Sequence, residues 1–270
     1  MPRKRGPVKS GLWPGVDLFR MDDPQNLMTV AGALYGGGVF FFAYLIRGIA
    51  GFGSALIAVP LLTMQWPLAI AVPVVGLLDY IASVSHGLQG RRLVRWRDLV
   101  PLLPFSFVGV QAGLYFLKRL PTAELAVALA IFILLFAVYS LLPLPPLKGS
   151  RRWAAPAGFM GGMVGALFGT GGPFYVIYLS LRGLDKSEFR ATAATIFLFD
   201  GGFRIFSYLF GGIYDRYTLV GVALGLPLLA VGMAVGGRIH LAISREHFVR
   251  LISLILMGSG IALLVRYGGF

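Results

Sequence analysis

YLIRGIAGFGSALIAVPLL, residues 44–62, is apolar enough to enter a membrane, yet it carries Arg47, the glycines Gly48, Gly51 and Gly53, and Pro60. A helix in hydrocarbon keeps its backbone groups paired internally. Glycine lets the backbone leave helical geometry and lets other groups approach it closely. The stretch therefore reads as a helix that ends around Gly51, a break beside a positive charge, and a second, shorter helix.

The rest of the chain agrees with a membrane setting. Of 270 residues, 57% are hydrophobic and only 13% charged, with mean hydropathy +0.79. Soluble domains carry about 25% charged residues, so the expected class is an all-α polytopic membrane protein. The formal net charge of +13 reads as basic cytoplasmic loops rather than as a nucleic-acid surface. Cysteine is absent, which excludes disulfides and thiolate metal sites. His86, His240 and His247 form no metal spacing, and no Walker-type phosphate loop is present. No cofactor and no enzyme activity are expected.

Apolar stretches run over about 28–49, 50–64, 67–88, 99–117 and 122–142. After the basic, proline-rich LPLPPLKGSRRWA, residues 142–154, they return at about 154–168, 169–181, 190–212, 217–237 and 247–266. Most have the roughly 20 residues that span about 30 Å of hydrocarbon. The second of each five is too short. The expected organisation is a polar basic tail at 1–27, a first membrane repeat at 28–142, a linker at 143–153 and a second repeat at 154–270. No cleavable signal peptide is expected in the tail.

The halves align. GFGSA from Gly51 lies over GTGGP from Gly169, and LLD ending at Asp79 lies over LFD ending at Asp200. Broken segments at matching positions of an internal repeat are the signature of a secondary transporter. With all ten segments crossing, most membrane-proximal Lys and Arg, at 91–97, 148–152, 182–190 and 238–250, fall on one side, which is then cytoplasmic. A rival arrangement makes the short segments non-crossing hairpins and leaves eight crossings. Five segments per repeat is an odd number, so the second repeat is expected to be inverted, with each glycine-broken helix near the bilayer midplane.

At each break a half-helix should start, leaving backbone N–H groups unpaired at a partly positive end. Two such ends converging would form an anion site. The expected binding groups are the backbone around Gly51, Gly53, Gly169, Gly171 and Gly172, the hydroxyls of Ser54 and Thr170, and the charges of Arg47 and Arg204. Ser54 could also cap its half-helix, and Pro173 suits the first turn of the other. Small-residue runs at 35–38 and 161–165 read instead as close helix packing.

Arg47, Asp79, His86, Asp200 and Arg204 fall within spans. Unpaired charges at a helix centre cost roughly 2.5–3.5 kcal/mol each, so they must pair, face water or neutralise. Asp79, Ser83 and His86 share one helical face, as do Asp200, Arg204 and Ser207. Asp200 and Arg204 could neutralise each other. Asp79 could stay protonated, or pair with Arg47 or Arg204. Either aspartate could carry a coupling proton.

GIAGFGSALIAVP, GALFGTGGPFYVIYLSLRGL and RATAATIFLFDGGFR together resemble the sulfite exporter TauE/SafE family over nearly all of 28–266. The resemblance implies a multi-pass protein of the bacterial inner membrane that moves sulfite, thiosulfate, sulfonates or some organic acids. The expected function is proton-coupled secondary transport of a small sulfur-containing oxyanion by alternating access. An anion channel or uniporter, or a transporter of another small carboxylate, is the alternative. The expected partners are the small anion and the lipid bilayer. Aromatic faces such as VFFFAY could meet lipid or a second copy, giving a homodimer.

Overall fold

A computed structural model describes residues 29–50, 53–87, 91–142, 149–238 and 245–268. Among them every long element is a helix: α1 (Val30–Ala50), α2 (Ser54–Leu62), α3 (Leu68–Gly87), α4 (Trp96–Leu99), α5 (Leu103–Arg119), α6 (Thr122–Leu141), α7 (Ala154–Phe168), α8 (Gly172–Ser180), α9 (Lys186–Phe210), α10 (Arg216–Arg238) and α11 (Arg245–Tyr267). Each apolar stretch holds one helix, with limits moved by a few residues. Four of them, Val30–Ile49, Thr122–Leu141, Ser187–Phe210 and Arg216–Arg238, are long and apolar enough to cross a membrane. The start of α9 is moved to 186 by a capping box: Asp185 takes the N–H groups of Ser187 and Glu188, and Glu188 reaches back to the Asp185 N–H. The tail 1–27, Gly51 and most of the linker lie outside the described residues.

The two short helices fold back along their predecessors. Tyr35, early in α1, donates to the carbonyl of Leu61 at the end of α2 (2.7 Å), and Trp66 lies over Gly36. Likewise the Gly149 N–H, just before α7, donates to the carbonyl of Leu181, just after α8 (2.9 Å). Each pair is a helical hairpin whose two ends share one face. The α7–α8 tip rests on the start of α2: a Cβ built on Gly169 would lie 3.5 Å from both Ala55 Cβ and Val59 Cγ2.

Around the hairpins, α1 packs on α10, α5 on α7, α3 on α9 and α6 on α11. The first two contacts are close because glycines face backbone. Gly109 and Gly113 of α5 meet the carbonyls of Phe159 and Met163, and Gly158 and Gly162 of α7 meet those of Leu102 and Ser106. Gly48 of α1 and Gly232 of α10 do the same across their contact. Small residues allow this approach where apolar burial gives no driving force between helices. Within the two runs expected to pack, Gly162 and Gly36 do so. Gly38 does not: no atom lies within 4 Å of a Cβ placed there.

A cluster with no counterpart in the sequence reading ties the α7–α8 hairpin to the loop before α5. Asp98, buried in α4, receives Arg151 Nε and Arg182 Nε on the same Oδ1, each at 2.9 Å. Tyr178 donates to the Asp98 carbonyl (2.9 Å), and Arg182 Nη1 donates to the Gly149 carbonyl. Burial opposes ionisation of Asp98, but the hydrogen bonds and charges of Arg151 and Arg182 outweigh it and hold the carboxyl below its usual range. The loops at 91–98, 149–153 and 181–188 therefore share one face.

Candidate anion site

The first break places Gly53 in the left-handed region, φ 95°, directly before Ser54 opens α2. In the second break it is Gly169, φ 71°, that turns the chain out of α7. These positions do not correspond under the alignment of GFGSA with GTGGP, in which Gly53 falls on Gly171. The Cβ of another residue would strain either turn. α8 starts at Gly172 with Pro173 in its first turn, where a missing N–H leaves nothing unpaired.

Beside the first break, α1, α2 and α3 bring five side chains together. Asp79 Oδ1 receives Tyr44 Oη (2.9 Å), Ser54 Oγ (2.7 Å) and Arg47 Nη1 (2.9 Å). Arg47 Nη1 also donates to Ser54 Oγ (2.9 Å), while Nη2 donates to Ser83 Oγ (2.8 Å) and the Asp79 carbonyl (3.2 Å). Asp79 thus pairs with Arg47, one of the two partners the sequence left open. Ser54 makes no side-chain cap to its helix; its hydroxyl proton goes to Asp79. The His86 side chain lies outside the described residues.

Beside the second break the same residue types assemble from different helices. Asp200 Oδ1 receives Ser106 Oγ of α5 (2.9 Å) and Tyr175 Oη of α8 (2.6 Å). Its Oδ2 lies 3.2 Å from Arg204 Nε, one turn along α9. That N–H is not aimed at the oxygen, and Arg204 Nε is buried without a hydrogen-bond partner. Arg204 Nη1 donates to the Gly165 carbonyl (3.0 Å). Thr170 is buried, and its Oγ1 has no partner either. Ser207 accepts from Gln111 Nε2 (2.6 Å) rather than from Arg204.

Sequence reasoning missed Tyr44, Ser106 and Tyr175. Tyr44 had a signal, since it lies three residues before Arg47 on one helical face. Ser106 and Tyr175 stand alone in apolar runs, where nothing marks them. No group of three or more metal-ligating side chains occurs among the described residues.

The arrangement combines two largely buried Arg–Asp pairs, two helix starts released by glycine, and donors that make no hydrogen bond, inside apolar helices. It can offer hydrogen-bond donors to a small anion. The family model described as "Sulfite exporter TauE/SafE" matches residues 37–263. The chain is 30% identical over 193 residues to the "Probable inner membrane transporter protein TsaS" of Comamonas testosteroni, covering 69% of this chain and 80% of that one. No solved structure matches. The chain belongs to the sulfite exporter TauE/SafE family, whose members are membrane transporters and not enzymes.

Proposed function

We propose that this protein is a secondary transporter of a small sulfur-containing oxyanion, working by alternating access at the junction of the two glycine-broken hairpins. The observation that carries this reading is the meeting of the second hairpin tip with the start of α2, flanked by Arg47–Asp79 on one side and Arg204–Asp200 on the other. Small oxyanions suit such a place because helix starts and guanidinium groups offer donors only. The binding groups are the turn at Gly53, the segment Gly169–Gly172 with Thr170, and the positive charges of Arg47 and Arg204. Asp79 and Asp200 are the candidate proton carriers.

Two features support an inverted repeat. Exchanging α1, α2, α3, α5 and α6 for α7, α8, α9, α10 and α11 turns the α1–α10 contact into the α7–α5 contact and maps α3–α9 and α6–α11 onto themselves. The hairpins also open to opposite faces, because one long helix, α3, runs between the open end of α1–α2 and the loop at 91–98. The face gathered on Asp98 carries the basic loops and is assigned to the cytoplasm. The TsaS relative's name, with the four candidate spans, supports a multi-pass inner-membrane location.

The test uses purified protein in proteoliposomes with a pH dye inside. Gradients of sulfite, thiosulfate, methanesulfonate, sulfate and acetate are imposed in turn. A sulfur oxyanion driving proton movement supports the full reading. Anion movement without protons favours a uniporter or channel, for which the pairing of both aspartates already speaks. Movement of acetate alone, or of nothing, removes the substrate class.

A further inference from the structure

We propose that the anion is taken by the second broken segment alone, between Thr170, the start of α8 and Arg204, while the first break is locked by its own polar groups. This rests on the transporter reading above and narrows it to one half of the molecule.

In the first half the polar groups satisfy one another. The Ser54 hydroxyl gives its hydrogen to Asp79 Oδ1 and accepts from Arg47 Nη1. Each terminal nitrogen of Arg47 faces two acceptors: Asp79 Oδ1 and Ser54 Oγ at Nη1, the Asp79 carbonyl and Ser83 Oγ at Nη2. Each of those nitrogens carries two hydrogens, so a ligand would have to break a bond for each one it made to either terminal nitrogen.

The second half is left incomplete. The Thr170 residue is 3% exposed, and its hydroxyl has no partner. A buried hydroxyl without a partner is costly and calls for an explanation. Thr170 directly precedes Gly171 and Gly172, where the nine-residue helix α8 begins. Pro173 has no N–H and Phe174 donates to the Gly171 carbonyl (3.3 Å), so Gly172 supplies the free N–H of this first turn, at an end that is partly positive. Arg204 Nε, 3.2 Å from Asp200 Oδ2, is the second buried donor that makes no hydrogen bond.

Gly165 joins these groups. A Cβ built on it would lie 3.4 Å from Asp200 Oδ2, 3.7 Å from Arg204 Cδ and 3.7 Å from Gly171 Cα. The Asp200 carboxylate, the arginine and the helix start therefore border one spot, with room there for a methyl group. Four buried side-chain polar atoms lack a partner among the described residues, and three of them, Thr170 Oγ1, Arg204 Nε and Tyr214 Oη, belong to the second half. None belongs to the Arg47–Ser54–Asp79 cluster.

The donors come from a hydroxyl, a helix start and a guanidinium, in three different positions. A centre bearing three oxygens, such as a sulfite or a sulfonate head, can engage all three. A planar carboxylate has to share its two oxygens among the three donors.

The experiment is calorimetric titration of the purified full chain in detergent with sodium sulfite, thiosulfate, methanesulfonate and acetate. The wild type should bind a sulfur oxyanion more tightly than acetate. Thr170→Val should weaken that Kd by about tenfold, as loss of one hydrogen bond to a charged ligand does. Ser54→Ala should move it by less than about twofold, within the range of a change outside the site. Gly165→Ala, whose methyl fits at ordinary contact distances, should also weaken binding and serves if Thr170→Val does not fold. Equal weakening by Ser54→Ala and Thr170→Val overturns the one-sided site, as does wild-type affinity in both Thr170→Val and Gly165→Ala. A wild type that binds none of the sulfur oxyanions defeats the transporter's substrate reading and this inference with it, a result seen before any variant is made.

Discussion

Arg204 donates to the carbonyl of Gly165 across the α7–α9 contact, and the alignment gives the pair its meaning. Gly165 stands where Arg47 stands in the first half, and Arg204 stands where Ser83 stands. In the first half the arginine reaches from α1 to a serine on α3. In the second it reaches back from α9 to α7. The brace is kept while its charged end has changed helix. Only in the second version is there a glycine at the arginine's far end.

The first version should be the stiffer one. Arg47→Ala leaves Asp79 without its cation among α1–α3; removing one partner of a fully buried pair costs roughly 3–5 kcal/mol, and this pair should lose somewhat less because both side chains keep some exposure. Arg47→Lys keeps the charge but not the two-pronged reach to Asp79 and Ser83, and should recover only part of that loss. Thermal unfolding in detergent reads both. Full recovery by lysine would mean that the fork geometry is unimportant.

Backbone-facing and open glycines should respond in opposite directions. Gly162→Ala puts a methyl into the Ser106 carbonyl and should destabilise by about 1–3 kcal/mol through overpacking. Gly38→Ala meets nothing and should stabilise α1 by up to about 1 kcal/mol through its lower chain entropy. The same melting assay compares them. Equal melting temperatures would contradict the α5–α7 packing.

Asp98→Asn should lower stability by about 2 kcal/mol at neutral pH, less than for a fully buried pair because Arg151 is half exposed. The pH dependence has a fixed sign. The Asp98 carboxyl is held below its unfolded value of about 3.9, so its contribution is complete above that value. It is lost as pH falls through the lower folded value. The gap between wild type and variant should stay constant from about pH 8 to 5 and close in stronger acid. A gap that widens on acidification would reverse the assignment.

Asp200→Asn and Asp79→Asn separate binding from coupling. If either carboxylate carries the proton, its amide should abolish proton movement in proteoliposomes while sulfite still binds. Asp200→Asn removes a negative charge beside Gly165 and should not weaken binding. Unchanged proton flux in both variants would make the aspartates structural.

The sequence disclosed the helices well and their partners poorly. Hydropathy alone brackets ten of the eleven described helices, all but the four-residue α4, because in hydrocarbon a spanning backbone must be helical. The late start it gives α9 came from ignoring the D-x-x-E of Asp185 and Glu188, a signal that was present. The Asp79 partner stayed open between Arg47 and Arg204 because spacing reports faces of one helix, not contacts between two. Ser106 and Tyr175 were invisible for the same reason. They matter to Asp200 because α5 and α8 both pack against α9. The Asp98 cluster joins three loops far apart in the chain, and no local pattern predicts a carboxylate shared by two arginines.

α2 and α8 have nine residues each, which is about 13 Å of helix, less than half of a hydrocarbon layer about 30 Å thick. If water follows each hairpin inward, most of the membrane voltage drops across the thin septum where the tips meet. A univalent ion passing that septum would feel nearly the whole potential over a few ångströms, about 2.3 kcal/mol per 100 mV. Turnover of a charged substrate would then be voltage-driven as well as gradient-driven, and a cell's resting polarisation would push anions outward without any change in the protein.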